Sequence, residues 1–127
     1  MIRRNHPAPS AGTPTPGFSQ SVELLEPRRI VFVAGQVPAL PDGLVPATFD
    51  DQAEAVWGRV AHELEQAGMQ FRNLVKVTIF LADRKYSEEN RAVRKRILGH
   101  ANPALSVVVA SLLDPRWFLE IEAIACD

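Results

Sequence analysis

The sequence of 127 residues has one cysteine, almost no net charge and no long apolar run. A lone thiol, Cys126, cannot form an intrachain disulfide, which favours a reducing compartment such as the cytoplasm over a disulfide-built secreted scaffold. With 14 basic and 15 acidic side chains, the chain lacks the positive charge that nonspecific nucleic-acid binding requires, which leaves only a specific RNA reader open. Its apolar runs, such as 31–34 and 107–110, are far shorter than the ~20 residues that span a bilayer, so no membrane partner is expected.

Short motifs for metals and nucleophiles are also missing. The histidines His6, His62 and His100 are far apart and share no metal-ligand spacing, so the sequence predicts no metal site. It contains no Gly-x-Ser-x-Gly nucleophile motif, and Gly35 belongs to no phosphate-binding glycine pattern. Cys126 has no neighbouring cation in the sequence that would lower its pKa, and we interpret it as a passive thiol.

Proline is concentrated at the N-terminus, where residues 1–17 hold four of the ten prolines. Proline disfavours both a helix and a central strand, and here it also occupies the place where a signal peptide has its apolar core. We therefore predict an extended arm over residues 1–17. The remaining residues, 18–127, are enough for a single domain with one hydrophobic core.

Periodicity and turn residues predict a ββαβαββ order of elements. Two β-rich runs, 22–24 and 30–33, flank a turn at Glu26-Pro27 and are interpreted as a hairpin. The clearest helix has Thr48 or Asp50 as its N-cap and Gly68 at its C-terminal end. The further predicted bounds are helices 48–67 and 86–98 and strands 74–82, 105–112 and 117–125.

This order predicts an α+β fold in which both helices cover one face of a mixed sheet. On the second helix, Arg91, Arg94, Lys95 and Arg96 are expected on the solvated side. The opposite face of the sheet would expose apolar side chains in a monomer, which predicts self-association into a closed ring.

Glu120 and Glu122 are the candidate catalytic carboxylates, because the alternation of a strand puts both on one face beside Phe118 and Ile124. One interpretation makes one of them a general acid or base with a pKa raised by apolar neighbours. The other interpretation is structural: a salt bridge to an arginine or a solvated strand edge. The spacing alone does not choose between them.

Several blocks of the sequence resemble the Rid family of reactive intermediate deaminases, which is also called the YjgF or L-PSP family. The resemblance covers about residues 17–125, with the blocks in the order and spacing of that family. The matching residues are Gly17-Phe-Ser-Gln20, Val31-Phe-Val-Ala-Gly-Gln-Val37, Ala67-Gly68, Leu74-Val-Lys-Val-Thr-Ile-Phe-Leu81, Asn90, Pro103-Ala104, Ser106 and Leu119-Glu-Ile-Glu-Ala-Ile-Ala125.

The resemblance implies a chorismate-mutase-like fold and a homotrimer in which the sheets form a central barrel, with ligand clefts between subunits. Active members of the family hydrolyse enamines and imines, such as 2-aminoacrylate and 2-iminobutanoate, to 2-keto acids and ammonia without a cofactor. In them an arginine in a Pro-Ala-Arg-Ser motif binds the substrate carboxylate, a tyrosine near the N-terminus lines the cleft, and the first glutamate of Glu-Ile-Glu positions water.

When the roles known in the family are transferred to the matching positions of this sequence, the resemblance assigns the water-positioning role to Glu120. It assigns substrate contacts to positions 18, 35, 90, 105 and 107, which are Phe18, Gly35, Asn90, Leu105 and Val107 here. The tyrosine ring is present as Phe18 without its hydroxyl. The larger departure is Leu105, which stands where the family has its arginine.

Leu105 bears directly on the expected substrate. Removing one partner of a buried arginine–carboxylate pair costs about 2–5 kcal/mol, so the usual 2-imino acids should be poor substrates and a less anionic or more apolar ligand fits better. Arg91, Arg94, Arg116 and His100 flank the cleft segments and are candidates for a compensating cation. Two functions remain open: an imine or enamine hydrolase of altered specificity, and a noncatalytic trimer that binds or senses a small metabolite. The near-neutral charge argues against a third, RNA cleavage.

Overall fold

The computed structural model describes residues 1–7 and 17–127, and within them it has six strands, two α-helices and two short 3-10 helices. This is the mixed α+β class that the periodicity predicts. The elements are β1 (Ile2–His6), β2 (Ser21–Leu25), β3 (Ile30–Gln36), α1 (Phe49–Gln66), β4 (Leu74–Leu81), α2 (Ser87–Leu98), β5 (Ala104–Val109) and β6 (Leu119–Cys126), with the 3-10 helices at Phe71–Asn73 and Arg84–Tyr86.

The main sheet has four strands in the order β3-β6-β4-β5. β4 and β5 are parallel, whereas β6 runs antiparallel to both β3 and β4, so the sheet is mixed. α2 connects the parallel pair, as such a crossover requires. β5 is an edge strand of this sheet, and an isolated parallel bridge joins its first residue, Ala104, to Ser19.

Helix α1 begins and ends where local chemistry predicts. The Oγ1 of Thr48 accepts a hydrogen bond from the N–H of Asp51 at 3.2 Å, and acidic residues occupy the first turn. Gly68, with a φ of 71°, adopts the left-handed conformation just beyond the helix. Neither helix in the described part of the chain is long and apolar enough to cross a membrane.

The core lies between the two helices and one face of the sheet. Alternate residues of β4 and β6 point into it, including Val77, Ile79 and Ile121, all 0% exposed. α1 supplies Val56, Trp57, Val60 and Leu64, and α2 supplies Val93 and Leu98. Both helices therefore cover the same face of the sheet, as predicted.

The other face of the sheet, called the open face below, has no covering element among the described residues. Phe32 is 75% exposed, Ile30 50% and Val108 44%. The open face also carries side chains from the two central strands: Lys76, Thr78, Phe80, Glu120, Glu122 and Ile124. An exposed apolar patch of this kind is typical of a protein interaction surface.

The predicted hairpin between the first two β-rich runs is wrong. β2 pairs with β1, whereas β3 pairs with β6. Glu26, with a φ of 55°, turns the chain away from β2 at this point. The backbone N–H groups of Arg28 and Arg29 then donate to the carbonyl of Asp127, which aligns β3 with β6. Burial explains the choice, because β3 covers part of the core and β2 is mostly exposed.

Part of the segment predicted as an arm forms β1, and its residues 8–16 lie outside the described residues. Arg3 of β1 donates from Nη1 to the carbonyl of Arg72 and from Nη2 to that of Ala101, both at 2.9 Å. The Sγ of Cys126 lies 3.4 Å from the Sδ of Met1. Burial raises the pKa of this thiol, although the charge of Arg3 opposes the change, which agrees with a passive thiol.

The last two strands differ from their predicted bounds by a few residues, because the chain from 110 to 118 is a loop. Gln52 of α1, which is 1% exposed, holds this loop. Its Nε2 donates to the carbonyls of Pro46 and Arg116, each at 2.9 Å, and its Oε1 accepts from the N–H of Phe118 at 2.7 Å. One buried side chain thus joins α1 to the start of β6.

Replacing Gln52 with leucine should therefore destabilise the fold. Gln52→Leu keeps the side-chain volume but leaves backbone groups without partners, so we expect the free energy of unfolding in urea to fall by about 2–4 kcal/mol. The matched control is Gln66→Leu on the exposed end of the same helix, with an expected change within about 0.5 kcal/mol. Equal effects of the two substitutions would show that the Gln52 hydrogen bonds do not hold the loop.

Candidate functional site

The six predicted site residues fall into two groups. Phe18, Asn90, Leu105 and Val107 line one cleft of about 450 Å³ between α2 and β5, which we call the α2 cleft. Gly35 and Glu120 lie together elsewhere, at the open face. The complete lining of the α2 cleft among the described residues is Phe18, Ser87, Asn90, Arg91, Arg94, Leu105 and Val107.

Strand pairing places the apolar wall of the α2 cleft. Leu105 pairs with Val77 and Val107 with Ile79, so both side chains point to the helix side of the sheet. Phe18 is fixed by the residue after it: the N–H of Ser19 donates to the carbonyl of Pro103 at 2.9 Å, and its Oγ donates to that of Asn102 at 2.7 Å. The ring of Phe18 therefore lies at the beginning of β5, next to Leu105.

Asn90 contributes a buried amide to the α2 cleft. It is 2% exposed and lies on the face of α2 that lines the cleft. An amide in this position can donate to or accept from a small molecule in the cleft.

Arg94 is buried, which corrects the prediction that it lies on the solvated side of α2. It is 5% exposed, and its guanidinium carbon lies 5.7 Å from the centroid of the Phe18 ring. Burial and the positive charge of Arg91 lower its pKa from the usual value, but an arginine stays protonated at neutral pH. α2 therefore places a desolvated positive charge in the α2 cleft.

The other two candidate compensating cations lie away from the α2 cleft. Arg116 binds Asp114 through two contacts, Nη2 to Oδ2 at 2.7 Å and Nε to Oδ1 at 3.1 Å. These hydrogen bonds lower the pKa of Asp114 to about 2. His100 lines a separate depression together with Arg3 and Arg72.

Glu120 lies against the backbone of β3 at the position of Gly35. A Cβ on Gly35 would lie 3.0 Å from the carboxyl carbon of Glu120 and closer still to Oε2, so only glycine leaves room for the carboxylate. Neither Glu120 nor Glu122 forms an ion pair with another described residue. Glu122 is exposed and lines a separate depression of the open face with Phe32, among others.

The two groups of site residues lie on opposite sides of the same sheet. Glu120 pairs with Phe80 of β4, and their side chains share the open face. Leu105 and Val107 point to the other side, with the sheet between them and Glu120. Within one copy of the chain, the carboxylate and the α2 cleft therefore do not meet.

Sequence reasoning missed Ser87 and did not separate Arg91 and Arg94 from the other candidate cations. A signal for all three was present, because Ser87, Asn90, Arg91 and Arg94 follow one another at intervals of three, one and three residues. This places them on one face of a helix. The face appeared solvated because it is polar.

Comparisons with known proteins show the family to which the chain is similar. A family model described as Endoribonuclease L-PSP matches residues 8–127. Protein HMF1 of Saccharomyces cerevisiae is 34% identical over 99 residues, which are 77% of this chain and 77% of that protein. A Mus musculus protein named 2-iminobutanoate/2-iminopropanoate deaminase is 31% identical over 120 residues, covering 93% of this chain and 84% of that one.

A similar fold occurs in solved structures. The crystal structure of YyfB from Yersinia pestis, a protein of unknown function in the conserved Rid family, superposes with a TM-score of 0.85. Its sequence is 25% identical, and the match covers all of both chains.

The contact between Gly35 and Glu120 predicts what a methyl group added at position 35 would do to the Glu120 side chain. Gly35→Ala should displace the Glu120 carboxylate, and a crystal structure of the variant would show the displacement. Because the end of a glutamate side chain moves easily, we expect the free energy of unfolding to change by less than about 1 kcal/mol. The control is Gly58→Ala in α1, where the new methyl group meets open space and should stabilise the helix by about 0.5–1 kcal/mol. An unmoved Glu120 would contradict the close packing.

Proposed function

The chain belongs to the Endoribonuclease L-PSP family, also called the Rid or YjgF family, and from this premise we propose that it binds a small imine or enamine and hydrolyses it. Water adds to the imine carbon, and collapse of the adduct releases ammonia and leaves a carbonyl compound. An enamine first takes a proton on carbon to become the imine. The deaminase name of the mouse relative supports this class of reaction.

The observation that carries the proposal is the position of Glu120. Its carboxylate lies on a backbone surface that only glycine permits, and it forms no ion pair within the described residues. A carboxylate in this position can accept a proton from water as the water attacks, and it can return the proton to the leaving nitrogen. Glu122, two residues later, is exposed and lacks this support.

We propose that the active assembly is a homotrimer with a ligand cleft at each boundary between copies. The exposed apolar residues of the open face support self-association, since a ring of sheets would cover Phe32, Ile30 and Val108. Such packing also offers a way to bring Glu120 of one copy to the α2 cleft of its neighbour. The reaction would then need two copies of the chain.

Leu105 and Phe18 form the wall that we expect to set specificity. Leucine supplies no hydrogen-bond donor at the position where the family has its arginine, so the anchoring of the ligand has to come from other residues of the cleft. We therefore expect slow turnover of the usual small 2-imino acids.

A second candidate is a noncatalytic trimer that binds or senses a small metabolite in the same cleft. The observation that favours it is again Leu105, which lines the cleft. An apolar side chain can bind a ligand by burying its apolar surface, and this needs no catalytic step. RNA cleavage, which the name Endoribonuclease L-PSP suggests, is disfavoured by the net charge of −1. The single buried thiol supports a reducing compartment such as the cytoplasm.

Ammonia release from imines generated in solution tests the hydrolase proposal. The panel includes 2-aminoacrylate, 2-iminobutanoate and longer imines with and without a carboxylate. We expect the protein to hydrolyse at least one of them and Glu120→Gln to reduce that rate at least about 100-fold, because the proton acceptor is lost. Glu122→Gln is the matched control on the same strand and should retain most of the rate.

Leu105→Arg should increase the rate with 2-iminobutanoate, since it restores a donor for the carboxylate on β5. If the protein binds these compounds without releasing ammonia, the noncatalytic function is correct. If Glu120→Gln and Glu122→Gln are equally active, Glu120 does not activate water.

A further inference from the structure

We propose that Arg91 and Arg94 of α2 together bind a carboxylate of the ligand in the α2 cleft. The inference rests on the proposed function, since it specifies the ligand of the same cleft. It assigns to α2 the anchoring role that Leu105 on β5 lacks, so the ligand carboxylate lies on the helix side of the cleft rather than beside the strand.

The spacing of the two arginines puts them on the same face of α2. Arg91 and Arg94 are three residues apart, which places them next to each other on the helix surface. Both line the α2 cleft, together with Ser87 and Asn90 of the same helix face. A ligand in the cleft can therefore contact both guanidinium groups.

The charged side chains in the described lining of the α2 cleft are both positive. Its lining among the described residues includes two arginines and no acidic side chain. Arg94 is 5% exposed, and an ionic hydrogen bond to a desolvated group is stronger than one in water. The lowered pKa of Arg94, caused by burial and then by Arg91, agrees with two like charges held close together.

Phe18 holds Arg94 in place before a ligand arrives. The guanidinium carbon lies 5.7 Å from the ring centroid, within the range of a cation–π contact. A side chain fixed in this way loses little further conformational freedom when it binds a ligand. A planar guanidinium can also form two parallel hydrogen bonds to a carboxylate, which favours that group over a single acceptor.

Asn90 adds a polar side chain to the same lining. It is 2% exposed and lines the cleft together with the two arginines and Phe18. An amide can donate to the second oxygen of a carboxylate or to a carbonyl oxygen of the ligand.

Two other arginines, outside the lining of the cleft, form ion pairs with acidic side chains. Arg96, also on α2, forms an ion pair with Glu54 of α1. Arg116 forms its ion pair with Asp114. Arg96 is therefore a matched control: it is an arginine on the same helix that does not line the α2 cleft.

Binding measured by calorimetry tests the inference without any need for turnover. The probes are 2-oxobutanoate and 4-oxopentanoate, two carboxylates that differ in the distance from the carboxylate to the carbonyl, with the neutral amide of each. We expect at least one carboxylate to bind more tightly than its amide. Arg91→Gln and Arg94→Gln should each weaken that binding about tenfold or more, since each removes a hydrogen bond to a charged group.

Arg96→Gln should leave the affinity unchanged, although it removes the same charge from the same helix. Because Arg94 is buried and its replacement can disturb folding, the exposed Arg91→Gln decides the test if Arg94→Gln unfolds. The inference is overturned if neither carboxylate binds, if the amides bind equally well, or if Arg91→Gln and Arg96→Gln have the same effect.

Failure of this inference differs from failure of the proposed hydrolysis. If Arg91→Gln retains full carboxylate affinity while the protein releases ammonia with a dependence on Glu120, only the α2 anchor is wrong. If carboxylates bind through Arg91 but no imine is hydrolysed, the anchor is correct and the noncatalytic function holds.

Discussion

A sheet with helices on one face only is the constraint on which the rest of this structure depends. The two helices and the inward side chains of β3, β4 and β6 complete one core, with Val77, Ile79 and Ile121 fully buried. No element within residues 1–7 and 17–127 covers the opposite face, where the ring of Phe32 is 75% exposed. The hydrophobic effect therefore favours association of this face with another surface.

The same constraint divides the candidate site. Alternation along the strands sends Glu120 to the open face and Leu105 to the helix side, so the apolar wall and the carboxylate cannot form one pocket in a single copy. Association through the open face would give the carboxylate a cleft to act on. The proposed oligomerisation and the proposed chemistry would then have one physical cause, which is the uncovered side of the sheet.

Local patterns in the sequence predicted the parts of this fold that depend on local physics. The cap at Thr48, the turn at Gly68 and the alternation from Leu119 to Cys126 all follow from short-range rules. The hairpin prediction was wrong because the partner of a strand is decided by distant residues: β3 pairs with β6, more than 80 positions later. Arg94 was misplaced for a similar reason, since it contacts Phe18 and shares a cleft with residues of β5, all of which are distant in the sequence and absent from a helical pattern.

Above all, we propose that Glu120 of one copy and the α2 cleft of another form one ligand site. A crystal structure of the protein with bound 2-oxobutanoate or 4-oxopentanoate tests it most directly. We predict a trimer whose open faces meet, with the ligand between Glu120 of one copy and Leu105 and Arg91 of the next. A ligand held within a single copy, or an assembly that leaves Phe32 exposed to solvent, would contradict the claim.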